Sequence, residues 1–193
     1  MSPLSDERKL RPEFYEKPAV ELAVALLGKI LVRKVAGVLR RARIVETEAY
    51  CGVKDLASHS SKGRTARTEV MFGPAGRAYV YFIYGMHEMF NIVGGSVGDA
   101  QAVLVRGAEA LDGWEADLTG PGKLAKAFGI TRKDNGMDLS GDDLFIVDDA
   151  NYRPRIVRTK RIGVDYARRW KDRLLRFVDI KNPLAKRLRA TSN

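Results

Sequence analysis

The 193 residues contain 45% hydrophobic side chains, enough for one domain with a core, and hold no apolar run long enough to span a membrane. Residues 1–9 are polar, so we expect no signal peptide, and the single cysteine, Cys51, excludes an internal disulfide framework and indicates a reducing, intracellular setting. The net charge of +10 is uneven, because residues 151–193 hold 14 Lys and Arg against three Asp, whereas residues 97–150 hold 5 basic and 11 acidic residues. This gradient favours one face for a polyanion and another for solvent, and a solvated surface with a basic tail is the alternative.

The first third of the chain predicts a helix and a strand pair. Residues 18–27 are spaced as an amphipathic helix, with Pro18 in its first turn and Gly28 at its end. Residues 29–35 and 39–50 have the composition of two strands joined by a turn. Residues 51–70 are polar and show no clear period, which predicts a loop.

The rest of the chain mixes short strands with short helices. Residues 78–84 and 87–93 predict a hairpin around Gly85-Met86, and residues 123–128 predict a helix that begins after Gly-Pro-Gly. Further strands are predicted at 102–107, 144–147, 155–161 and 175–178, with a helical turn near 166–170. Because the two element types do not alternate regularly, the order favours an α+β fold over a doubly wound sheet.

The sequence lacks the residues of two common kinds of site, a zinc site and a phosphate-binding loop. With two histidines and one cysteine, the chain has no zinc set at the usual spacing, and His87-Glu88 is not followed by the second histidine of HExxH. A phosphate loop is also excluded, because Leu124 stands where the motif requires Ser or Thr after Lys123.

One candidate for a chemically active site is the predicted strand at 44–50, IVETEAY. The period of a strand places Glu46, Glu48 and Tyr50 on one face. Two carboxylates that share a face with an aromatic ring conflict with simple burial. The alternative is that both glutamates lie on the solvated face of an edge strand.

A second pattern is the aromatic run YVYFIYGM at 79–86. Alternation separates Tyr79 and Tyr81 from Tyr84, which lies at the predicted hairpin tip. An aromatic side chain at the tip of a hairpin can act as a wedge between base pairs, and an inward tyrosine can stack on an extruded base. A tyrosine-rich strand that packs in a core is the alternative.

At these residues the chain resembles the alkyladenine (3-methyladenine) DNA glycosylase family. The matching segments are LLGKILVR, RIVETEAY, DLASHSSKGRTARTEVMFGPAG, YVYFIYGMH, AVLVRGAE, GPGKLAKAFGI and RIGVDYARRW. They follow one another in the order of the family from near residue 20 to near residue 180. Two positions depart from the family pattern, since Leu174 stands where proline is expected and Glu88 follows the hairpin.

The resemblance implies a single domain over residues 1–193, with flexible ends at 1–12 and 184–193. Its expected architecture is α+β, a curved mixed or antiparallel sheet with surrounding helices and a protruding β-hairpin. The implied activity is that of a monofunctional glycosylase of base-excision repair, which flips alkylated or deaminated purines from duplex DNA and hydrolyses the N-glycosidic bond. The alternative from another class is a non-catalytic nucleic-acid binding module that stacks bases on tyrosines.

The resemblance also assigns the reaction and the base to particular residues. Glu48 matches the general base that activates water, and Arg106 matches an arginine near that water and the target phosphate. The residues implied to sandwich the flipped base are Tyr50, His59 and Tyr81. Glu46 is interpreted as structural.

For the rest of the substrate, Asn91 matches an asparagine that crowds the exocyclic amino group of guanine. Tyr84 matches the side chain that fills the gap in the duplex, and Lys123 resembles a contact to the DNA backbone. The expected partner is double-stranded DNA containing damaged purines, acted on by a monomer without metal or other cofactor and without a membrane. The expected location is the cytoplasm and nucleoid of a bacterium, or the nucleus of a eukaryote.

Overall fold

A computed structural model of the protein describes residues 8–35, 37–83 and 85–185. Within these ranges, nine strands form one antiparallel sheet: β1 Arg8–Lys9, β2 Ile30–Val35, β3 Val38–Tyr50, β4 Ala78–Ile83, β5 His87–Gly94, β6 Gln101–Ala110, β7 Leu144–Asp148, β8 Ile156–Thr159 and β9 Arg176–Asp179. The helices are α1 Pro12–Tyr15, α2 Ala19–Leu26 and α3 Pro121–Phe128, and the 3-10 segments are Gly52–Lys54, His59–Lys62, Glu69–Phe72, Arg132–Asp134 and Asp165–Asp172. The expected α+β class is confirmed, and every strand pair is antiparallel.

The 13-residue strand β3 organises the sheet. One of its edges pairs with β6, and the other pairs first with β2 and then, from Glu46 to Glu48, with β9. The β3–β6 pairing shifts register on either side of Glu46, which marks a bulge. Bulges re-aim side chains beside functional sites, and this one lies two residues before Glu48.

The face of β3 towards α2 is the apolar core. Ile44 and Ala49 are fully buried there with Leu22 and Leu26 of α2. The Thr47 hydroxyl is buried on the same side and donates to the Ala23 carbonyl at 2.9 Å. The bulge lets Ile44 join this face although it shares the parity of Glu46, and alternation from Glu46 onwards places the carboxylates on the opposite face, as the strand period predicts for residues 46–50.

The predicted helix at 18–27 and both predicted hairpins are confirmed by α2, β2–β3 and β4–β5. Three elements outside residues 51–72 were not predicted: β1, which pairs with β7, the one-turn helix α1 and the 3-10 turn Arg132–Asp134. Residues 51–70, where we expect a loop, contain single turns of 3-10 helix, closed by hydrogen bonds over three residues such as that from the Asp55 N–H to the Gly52 carbonyl. Tyr84, the predicted wedge, lies outside the described residues. No helix in the described ranges is long and apolar enough to cross a membrane.

Candidate active site

Glu48 lies on the sheet face away from α2 and is fully buried. Its Oε2 accepts a hydrogen bond from the Tyr50 hydroxyl at 2.9 Å, and its Oε1 accepts one from the Ile162 backbone N–H at 2.8 Å. The Nε of Arg106 lies 3.4 Å from Oε1. Two hydrogen bonds and one ion pair, from β3, from residue 162 and from β6, thus hold the carboxylate.

Arg106 on β6 bridges the two glutamates of β3. Its Nε also donates to Glu46 Oε1 at 3.1 Å, and the same oxygen accepts from Nε of the buried Arg176 on β9. Burial lowers the pKa of the Arg106 guanidinium, but Glu48 and Glu46 outweigh it and raise the pKa above its ordinary value. Glu46 therefore lies in a buried ion-pair network and not on a solvated edge, which excludes the alternative for this strand.

A cavity of about 360 Å³ opens above this network. Its wall includes side chains from the first third of the chain, the β4–β5 hairpin, β6 and the 162–166 segment, among them Tyr50, His59, Tyr81, Asn91, Arg106 and Tyr166. Cavities of this size and aromatic character bind small organic groups. The structure therefore gathers five of the sequence-predicted residues around one space, with the Glu48 carboxylate bonded to Tyr50 in its wall.

His59 and Tyr81 form one aromatic wall. Their ring centroids are 4.4 Å apart in an edge-to-face arrangement, and His59 Nδ1 lies 2.9 Å from the Tyr79 hydroxyl. Burial and, secondarily, the nearby Arg67 lower the pKa of His59 to about 4. The wall therefore presents uncharged rings at neutral pH.

A buried ion pair contacts the ring of Tyr50. Arg161 and Asp55 are both fully buried at their side chains and are joined by two hydrogen bonds of 2.6 and 2.9 Å. The Arg161 guanidinium lies 4.8 Å from the centroid of the Tyr50 ring. Burial, followed by the charge of Glu48, raises the pKa of the Tyr50 hydroxyl well above its ordinary value, so that it remains a donor to Glu48.

Asn91 lies on β5 and is 3% exposed. Its amide nitrogen donates to the backbone carbonyls of Tyr79 and Met89 at 3.1 and 3.2 Å. These bonds fix the amide at the cavity wall, where it limits the shape of any bound group.

Comparison with known proteins agrees with this geometry. Residues 13–183 match the family described as Methylpurine-DNA glycosylase (MPG). Proteins named "Putative 3-methyladenine DNA glycosylase" are similar along most of the chain. The one from Anaeromyxobacter sp. (strain Fw109-5) is 52% identical over 171 residues, covering 88% of each chain. The one from Legionella pneumophila (strain Lens) is 48% identical over 179 residues, covering 91% of this chain and 97% of its own.

The chain belongs to the methylpurine-DNA glycosylase family. Membership places it among hydrolases that cleave N-glycosyl bonds and so decides against the non-catalytic binding module. DNA is accordingly its substrate polymer.

Lys123 is the residue predicted to contact the DNA backbone. It lies apart from the buried network of Glu48 and Arg106. It belongs to the first turn of α3, where its ammonium pairs with Asp117 at 2.8 Å and its side chain is 58% exposed. Pro121 of the same turn lines the cavity. The lysine is therefore available at the surface near the cavity, although a phosphate would compete with Asp117 for it.

Several residues of the site are not among those predicted from the sequence. The Ile162 N–H has no side-chain signal, since any residue type supplies a backbone donor. Asp55 and Arg161 occur inside segments that resemble the family, but their pairing links positions 106 residues apart and has no local pattern. Tyr79 was considered only as part of an aromatic run, and the structure adds its bond to His59.

Proposed function

We propose that the protein excises damaged purines from duplex DNA by hydrolysing the N-glycosidic bond, with Glu48 as general base, and leaves an abasic site. The observation that carries the proposal is the buried Glu48 carboxylate joined to the wall of an aromatic cavity. The names of the similar proteins support the same activity.

Glu48 retains acceptor capacity for a further partner. An ionised carboxylate offers about four acceptor positions, and the hydrogen bonds from Tyr50 and Ile162 use two of them, with Arg106 paired to Oε1. A water molecule at a remaining position would be oriented by a carboxylate whose own position is fixed. Glu48 would take its proton as the oxygen attacks C1′ of the sugar, and a positioned general base contributes about 10²- to 10⁴-fold to the rate.

Bond cleavage at a glycosidic carbon develops positive charge on the sugar. The Glu48 carboxylate stabilises that charge, while Arg106 keeps the water and a flanking phosphate in place. Because Arg106 is shared with Glu46, its guanidinium has one orientation before substrate binds. Glu46 serves as its anchor and does not act on the water.

The aromatic walls of the cavity favour particular bases as substrates. A flipped purine would lie between Tyr50 and the His59–Tyr81 pair, and a base–aromatic stack is worth about 1–3 kcal/mol. A purine alkylated on a ring nitrogen is cationic, so it gains further from the tyrosine faces and leaves readily. A neutral lesion such as hypoxanthine needs a proton on the departing base, and we expect a bell-shaped pH profile for it.

Extrusion of the base from the duplex precedes cleavage of the N-glycosidic bond and favours damaged bases. Extrusion costs a few kcal/mol and is cheaper at a mispaired or damaged base. We propose that Tyr84 fills the vacated stack and that the basic stretch 151–193 supplies sequence-independent affinity. The protein would act as a monomer, because one chain carries every residue of the proposed site.

The direct test is a panel of duplex oligonucleotides, each with one 3-methyladenine analogue, 7-methylguanine, hypoxanthine or undamaged purine, incubated with the protein in EDTA. We expect free damaged base, measured by mass spectrometry, and an abasic strand that breaks in alkali. An undamaged duplex is the matched control. Release of no base from any duplex, by protein that binds DNA, would contradict the proposal.

A further inference from the structure

Arg67 contacts the aromatic wall without lining the cavity. One of its terminal nitrogens lies 3.5 Å from His59 Nε2, and its guanidinium carbon lies 5.2 Å from the centroid of the Tyr81 ring. The side chain is exposed and belongs to the segment just before the 3-10 turn Glu69–Phe72. It therefore touches two of the side chains proposed to stack on the base.

These contacts define the protonation of the imidazole. A guanidinium only donates hydrogen bonds, so Nε2 facing Arg67 must be the unprotonated nitrogen. The ring proton is then on Nδ1, which donates to the Tyr79 hydroxyl 2.9 Å away. A doubly protonated ring would place an N–H and a second positive charge against the guanidinium.

We infer that Arg67 is a positioning residue that holds His59 in its neutral Nδ1–H tautomer. The consequence for substrate rests on the proposed function: a neutral ring stacks on a cationic purine, whereas an imidazolium would repel it. Arg67 acts through His59 and touches no reacting atom.

The electrostatics around the ring agree. Arg67 is the charged neighbour, from the loop that follows the 3-10 turn of His59, and Tyr79 and Tyr81 are the titratable neighbours from β4. Burial raises the pKa of both tyrosines, so they stay neutral. Burial and Arg67 together lower the pKa of His59 to about 4, so the ring is almost entirely uncharged at neutral pH.

The chain is well suited to a direct measurement, because it contains only two histidines. We would record long-range ¹H–¹⁵N spectra of the intact free protein from pH 4 to 8, with the signals assigned through His87→Gln. In the wild type we expect a protonated Nδ1 and an unprotonated Nε2 from pH 8 down to about 5, with protonation of Nε2 setting in only as the pH approaches 4. In Arg67→Met, which keeps the alkyl volume and removes the charge, the pKa of His59 should rise towards, but not reach, its ordinary value of about 6.5, because burial remains.

Arg64→Met is the matched control, since Arg64 pairs with Glu69 in the same loop and gives the same change in net charge. It should leave the His59 titration and tautomer unchanged. An Nε2–H tautomer in the wild type, or identical His59 titrations in the wild type and Arg67→Met, would overturn the inference.

A second readout separates this inference from the proposed function. On 7-methylguanine duplex, the excision rate of Arg67→Met relative to wild type should fall as the pH is lowered through the raised pKa, and that of Arg64→Met should stay flat. A flat ratio for Arg67→Met would overturn the role in substrate choice. Absence of excision by the wild type would contradict the proposed function alone, since the spectra need no activity.

Discussion

The two faces of β3 differ sharply in what they bury. Towards α2 the strand contributes Ile44 and Ala49 to an apolar core. On the other face it buries Glu46 and Glu48 at 2% and 0% exposure, among Arg106 and Arg176. Burial of apolar groups contributes stability, whereas burial of charge costs desolvation that ion pairs largely offset.

Under the proposed function, this one strand serves both stability and chemistry. A flexible surface glutamate would not hold a water at one angle, whereas a carboxylate fixed by hydrogen bonds from Tyr50 and Ile162 and by an ion pair with Arg106 is suited to do so. The apolar face stabilises the strand through burial, whereas the polar face carries a desolvation cost that its ion pairs offset. Substitutions on the two faces should therefore be separable in their effects.

The largest effect on stability should come from Asp55→Asn. Asp55 accepts from Arg161 through both oxygens and from the backbone N–H groups of Cys51 and Ala57. An asparagine would point an NH₂ group at these donors and leave Arg161 charged and buried without its partner, at a cost of about 3–5 kcal/mol. Urea unfolding measures this loss.

The matched control is Asp172→Asn, which breaks the exposed ion pair with Lys160. Exposed pairs contribute about 0–1 kcal/mol. Equal losses of unfolding free energy for the two variants would show that the buried ion pair of Asp55 contributes no more stability than the exposed pair of Asp172.

Leu22→Ala should have a comparable or somewhat smaller effect and act on the other face. The side chain is fully buried in the core above β3, and such truncations cost about 2–5 kcal/mol. Excision per folded molecule should be unchanged well below the melting temperature. Leu39→Ala, at a residue 45% exposed on β3 itself, is the control and should be nearly neutral. A loss of excision larger than the loss of folded protein would show that the two faces are coupled.

Lys123→Ala should have the smallest effect, because Lys123 lies on neither face of β3. If its ammonium contacts a phosphate, the slope of log affinity against log salt should become shallower by about 1, equally for damaged and undamaged DNA. The fold should hardly change, since the pair with Asp117 is exposed. Lys34→Ala, an exposed lysine of β2, is the control for net charge, and an unchanged salt slope in Lys123→Ala would remove the phosphate contact.

Most of the fold follows from local patterns, and part of the site does. The alternation around Glu46, Glu48 and Tyr50 predicted their shared face, and glycine and proline marked the ends of α2 and the start of α3. The two-residue strand β1 was missed because it is too short to show alternation. The ion pair of Asp55 and Arg161 was missed because it depends on how distant segments pack, which no spacing records.

The central claim is that Glu48, and not its neighbour Glu46, activates the water. Single-turnover excision from a hypoxanthine duplex should therefore be compared between Glu48→Gln and Glu46→Gln, with binding and melting measured on the same samples. We expect Glu48→Gln to lose base release by about 10²-fold or more while it still binds the damaged duplex. In Glu46→Gln the loss should be smaller and accompanied by lower stability, since Arg106 and Arg176 lose a buried partner. Near wild-type excision by Glu48→Gln, or a larger loss in a folded Glu46→Gln, would contradict the account.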